Sequence, residues 1–226
     1  MKGLLIKDVK LIVKQKKFFL MALMLAALFT WTSDDVTFAA TYLILLLSML
    51  TLTTISYDDM NGGMLFLLSL PTTRKMYVKE KYVFAFLNLV FAVGVSLAVC
   101  FGFATIKGQE IPVGNLISSI VGIMVAMGVM LAVTIPLEIK YGPEKGRMAV
   151  LAVAVVIALV AAGGYKLLTE VLHVDVKGFA AKLLGKLPDT GISADVIIIG
   201  VLLVVLILLL GISYLVSNKI IKKKEF

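Results

Sequence analysis

The stretch VIIIGVLLVVLILLLGISYLV, residues 196–216, runs for 21 residues without a charge. As a helix rising 1.5 Å per residue it would measure about 31 Å, the thickness of a bilayer's hydrocarbon core. In lipid every backbone N–H and C=O must be paired within the chain, so a run of this kind has to be helical there. Comparable runs recur, and six spans can be drawn: 18–31, 36–56, 82–106, 113–137, 148–168 and 194–216. They account for a hydrophobic content of 61%, against about 45–50% in soluble domains. The predicted fold class is all-α: a polytopic membrane protein forming one transmembrane domain over residues 1–226.

The basic residues set the orientation. Of 22 Lys and Arg, seventeen fall on the side that holds the N-terminus. Only Lys107, Lys166, Lys177, Lys182 and Lys186 fall on the other. Positive charge stays in the cytoplasm, so both termini are predicted inside, and Trp31 fits an outer interfacial anchor. The net charge of +8 is thus explained by topology. No aromatic and glycine pattern of an RNA-binding module accompanies it, and nucleic acid is not an expected partner. The N-terminus, MKGLLIKDVKLIVKQKK, is too charged for a cleavable signal. Within it, Leu5, Val9, Ile12 and Val13 fall on one helix face and Lys7, Lys10, Lys14 and Lys17 on another. Residues 1–17 are therefore expected to form an interfacial helix in the headgroup plane, contacting membrane lipid.

The chemistry of an engine is missing. No phosphate-cradling G-x-x-x-x-G-K-[ST] and no H-E-x-x-H motif occurs. The single His173, predicted in an outer loop over 169–193, is far from a metal set, and the expectation is no metal and no enzymatic activity in this chain. The lone Cys100 lies in an apolar run and reads as a small buried residue. Small residues recur every four positions at Gly94, Ala98 and Gly102, and at Gly114, Ser118, Gly122 and Ala126, a signal for close helix packing. In the second span Ser48, Thr51, Thr54 and Asp58 share one arc. The hydroxyls there suit hydrogen bonding between and within helices, or else the lining of a substrate path.

Between the second and third spans, residues 57–81 stay on the cytoplasmic side. Asn61-Gly62-Gly63 breaks the second span, and MLFLLSL follows, too short to cross a bilayer. Pro71 stops it, and Thr72 or Thr73 can cap a second short helix, RKMYVKEKY, that enters the third span. An apolar helix facing water costs about 25 cal/mol per Å², so it should be covered by the chain's own spans, by membrane or by a partner.

The text LLSLPTTRKMYVKEKYV, residues 67–83 in the main, resembles the first cytoplasmic loop of type-2 ATP-binding-cassette exporter permeases. The next cytoplasmic loop, IPLEIKYGPEKGRM, residues 135–148, is similar to a P-L-x-x-K-[FY]-G-x-E-K-[AG]-R pattern of small bacterial permeases of that class, and MKGLLIKD is likewise typical. The group resembled includes the exporters of phenol-soluble modulins and other amphipathic peptides in the plasma membrane of Gram-positive bacteria. The resemblance implies a permease paired with a second permease, the same or related, and driven by separate cytoplasmic ATPase subunits. ATP and Mg would be held by those partners, with no cofactor in this chain. It implies a coupling helix docked on the ATPase, falling here on Asp59, Met64, Phe66, Leu67, Leu70, Arg74, Lys75 and Tyr77. Glu138, Lys140, Glu144, Lys145 and Arg147 would form either a second cytoplasmic contact or an internal ion-pair cluster. Ser48, Thr51 and Thr54 are the candidates for path lining. The cargo expected is an amphipathic or hydrophobic peptide; the alternatives are an exporter of a drug, lipid or ion, or a non-transporting immunity or scaffold protein.

Overall fold

A computed structural model describes residues 1–32, 36–60, 63–69, 72–108, 113–166 and 194–223. The described residues are helical almost throughout. In chain order the helices are α1 (Lys2–Lys14), α2 (Lys16–Thr32), α3 (Val36–Ser48), α4 (Leu50–Asp59), α5 (Gly63–Ser69), α6 (Arg74–Lys107), α7 (Val113–Lys166) and α8 (Ala194–Lys223). Among these residues, four stretches are long and apolar enough to cross a membrane: Thr37–Asp59, Arg74–Lys107, Gly114–Gly142 and Ile199–Lys223. At 17 residues, α2 rises only about 25 Å, slightly less than a hydrocarbon core. The polytopic membrane architecture read from the sequence is the one found.

Local sequence explains where helices start and bend. Thr73 is the N-cap of α6, its hydroxyl accepting from the Met76 amide at 3.2 Å. The short helix foreseen before the third span is therefore the first two turns of a single 34-residue α6. Gly108, at φ 63, closes that helix in the left-handed conformation glycine tolerates. Pro136 stands at the end of the predicted 113–137 span, where a proline ordinarily stops a helix, yet α7 continues through it. Proline has no N–H to offer the carbonyl four residues back, which is Ala132. That carbonyl instead accepts from the Ser213 hydroxyl of α8. A partner from the neighbouring helix thus lets the helix tolerate a proline inside the bundle.

The break in α7 comes at Gly142, with φ 77 and ψ 174, a region essentially confined to glycine. A Cβ built on Gly146 would sit 3.1 Å from Glu138 Cα. In a straight helix those two residues would be about 12 Å apart along the axis, so the chain doubles back between them.

Contacts fix the directions of the other helices. Ala22 and Ala26 of α2 pack with Leu43 of α3, and Leu47 and Leu50 pack with Ala92 of α6. Gly128 of α7 meets Leu206 of α8, Ala132 meets Ser213, and Ile135 and Ile139 share a core with Ile221. The first part of α7 and α8 therefore run in the same direction. One end of the bundle gathers α1, the end of α4, α5, the start of α6, the Gly142 turn and the end of α8. The other gathers the end of α2 and Lys107, whose ammonium donates to Thr30 O at 2.6 Å.

Candidate functional site

The end of the bundle that holds α1 and α5 is organised by one buried cation. Lys81, in the second turn of α6, is fully buried. Its ammonium has three N–H donors, and two other helices surround it: it donates to Asp8 of α1 and to Thr54 Oγ1 of α4 at 3.3 Å, and it pairs with the Asp58 carboxylate, also of α4, at 2.7 Å. Lys7 pairs with both aspartates, at 3.1 Å to Asp8 and closely with Asp58. Glu80 is buried beside Lys81 at 3.8 Å, and the Tyr77 ring lies 5.3 Å from the ammonium. Burying such charges is costly unless each is paired, and here the pairing joins three separate elements.

The helix α1 has three faces. Leu4 and Asp8 are buried against the bundle, while Lys10 and Lys14 are exposed. Ile6, Val9 and Val13, each more than half exposed, form an apolar stripe between them. The expected face of Leu5, Val9, Ile12 and Val13 overlaps this stripe. The inward anchor, Asp8, was not foreseen.

Above the hub sits α5. It follows α4 so tightly that a Cβ on Gly63 would fall 2.8 Å from Asp58 O. Met64 and Leu67 of α5 enter a core with Leu4, Ile55, Val78, Ile135 and Ile221. Phe66 points away and is 68% exposed. Ser69 and Lys75 are exposed, and Tyr77 is buried. Arg74 donates to Ile221 O and Lys222 O of α8, at 3.2 Å each. Leu70 lies outside the described residues. Asp59 reaches the turn of α7: its Oδ2 occupies the space where a Cβ on Gly142 would lie, 2.6 Å away. The predicted docking residues thus divide into Met64, Leu67 and Tyr77, used by the chain's own core, and Phe66 and Lys75, displayed outward.

The group predicted around Glu138 divides likewise. Glu138 is buried, and Lys140 and Lys145 are exposed. The side chains of Glu144 and Arg147 lie outside the described residues. Ser48, Thr51 and Thr54 are each fully buried where α3 and α4 pack on α6. Ser48 and Thr54 donate to their own helix at Leu45 O and Thr51 O, both at 2.9 Å. Asn88 Nδ2 of α6 donates to Leu47 O at 2.8 Å and to Thr51 Oγ1 at 3.1 Å. In this conformation the hydroxyls serve the helix seam.

A family model described as ABC-2 family transporter protein matches residues 3–222, nearly the whole chain. The chain belongs to the ABC-2 transporter family. No curated protein and no solved structure matches it at a significant level. As a member of that family it is a membrane transport protein. The described residues offer no group of three His, Cys, Asp or Glu suited to a metal. They do offer a short helix whose inner face is locked into the bundle, set directly on an ion-pair hub.

Sequence reading missed the pairings of Lys7, Asp8, Glu80, Lys81, Asn88 and Ser213. One signal was available: Asp8 is the sole acid among the first 33 residues. An isolated carboxylate in a basic helix requires a reason, and Lys81 supplies it.

Proposed function

We propose that this chain is the permease subunit of an ABC exporter, and that α5 is the element through which a separate ATPase moves it. The observation that carries the reading is the two-sidedness of α5. Met64 and Leu67 fasten it to the core while Phe66 is exposed on the opposite side. A large aromatic anchor beside cationic residues is the composition of a small, strong interface. Closure of the ATPases on ATP and Mg, both held by those partners, would displace α5. The Lys81 hub would pass the displacement to α1, α4 and α6 as a two-state rocking of packed helices.

In this reading six crossings are made, α2 and residues 148–166 of α7 being added to the four long apolar helices, with both termini cytoplasmic. A second permease, the same chain or a relative, completes the complex. The cargo is an amphipathic or hydrophobic peptide leaving the cytoplasm or inner leaflet of a Gram-positive plasma membrane. That choice of cargo rests on the resemblance of the two loops.

The experiment is co-expression with a candidate ABC ATPase from the same genome, followed by affinity purification through the permease. The full-length pair should co-purify, and Phe66→Asp should abolish recovery of the ATPase while leaving the permease's own melting unchanged. Recovery of the ATPase undiminished by Phe66→Asp would remove α5 from the interface.

A further inference from the structure

At the same end of the bundle, four lysines converge on a cavity of about 540 Å³. Lys140 comes from α7, just before its turn, and Lys219, Lys222 and Lys223 from the last turns of α8, with Ile220 as an apolar wall. All four lysines are exposed, and no carboxylate is among the described lining residues. The carbonyls at the end of α8, the usual reason for lysines at a helix C-terminus, already have Arg74 as a donor.

Depth narrows the ligand. The uncharged run of α8 ends at Val216. At 1.5 Å per residue Lys219 stands about 4 Å beyond it, inside a headgroup layer roughly 5–8 Å thick, and Lys222 and Lys223 stand about 9–11 Å beyond it, at the outer edge of that layer and within reach of it through their long side chains. The surface of α8 leading to them is apolar and exposed. Val205, Leu208, Ile212 and Leu215, from 46% to 62% exposed, follow one another at spacings of three and four. The same spacing continues into Lys219 and Lys222, so one helix stripe passes from greasy to cationic.

We propose that this is a binding site for an anionic phospholipid. The phosphodiester sits among Lys140, Lys219, Lys222 and Lys223, and an acyl chain lies along the α8 stripe. A free phosphate would use the lysines without the stripe. A neutral lipid would use the stripe without the lysines. The site does not depend on what is transported or on α5 docking an ATPase, so its failure would leave that reading standing.

Native mass spectrometry of the full chain, released from detergent with added lipid, tests it. Phosphatidylglycerol should remain bound to the wild-type chain, and phosphatidylcholine should not. Lys219→Gln, Lys222→Gln and Lys223→Gln together should weaken retention roughly 100-fold, from about a threefold to tenfold loss per cation at an anionic surface. The triple variant Lys2→Gln, Lys10→Gln and Lys14→Gln removes equal charge from exposed positions of α1 and should retain the lipid. Equal loss in both triple variants, equal retention of phosphatidylcholine, saturation by inorganic phosphate alone, or a second copy of the chain in place of lipid would each overturn the proposal.

Discussion

The ammonium of Lys81 lies 2.7 Å from Asp58 Oδ2, joining the first turns of α6 to the last turn of α4 immediately before α5 begins. Asp8 completes the junction from α1. The segment that would meet an ATPase is thus anchored to the bundle through charge as well as through Met64 and Leu67.

Removing the cation should be severe. Lys81→Met leaves Asp8 and Asp58 buried with the more exposed Lys7 as their remaining ammonium partner, at an expected cost of about 3–5 kcal/mol. For a chain of this length that is a fall in melting temperature of roughly 10 °C, read by thermal unfolding in detergent. Adding Asp8→Asn to Lys81→Met should recover part of the loss, because one stranded charge goes with it. Additive losses would show that the two residues do not act as a pair.

The Pro136 carbonyl gap makes a second cycle. Ser213→Ala removes the donor to Ala132 O and should cost about 1–3 kcal/mol, the penalty of an unsatisfied buried acceptor. In a Pro136→Ala background the helix amide at 136 can take that carbonyl, so Ser213→Ala should then cost much less. The same thermal measurement on the four proteins gives the coupling, and a value near zero would contradict the assignment.

Gly142 carries the reversal of α7. Gly142→Ala must adopt φ 77 and place its Cβ against Asp59, and the strain should be about 1–3 kcal/mol. Asp59→Gly in the same chain relieves the steric part alone. If the turn couples the rest of α7 to α4, transport in reconstituted vesicles should fall with Gly142→Ala more than stability does. Proportional loss of both would reduce Gly142 to a packing residue.

Much of this architecture was legible in the sequence because lipid leaves few options. Uncharged runs near 20 residues must be helices, and the run at 196–216 lies within α8. A cap at Thr72 or Thr73 was readable from Pro71 before and Arg-Lys after, and Thr73 is the residue that fills it. The hub was not legible: Asp8 and Lys81 are 73 positions apart, and nothing local to either tells which way its helix is turned. Pro136 misled for a related reason. Its usual effect is to end a helix, and the hydroxyl that offsets the missing amide comes from residue 213. Local chemistry announced helices and caps, whereas pairings between helices required their rotations.

The most direct test of the central claim places a sulfhydryl on the exposed face of α5. The sole native cysteine, Cys100, is buried, so Phe66→Cys provides one accessible thiol. In membranes containing the permease and its ATPase, a short reagent that is thiol-reactive at one end and photoreactive at the other should join residue 66 to the ATPase on illumination. The yield should change when ATP and Mg are added. Cross-linking confined to permease or lipid in every nucleotide state, with the ATPase nonetheless bound, would show that force enters elsewhere.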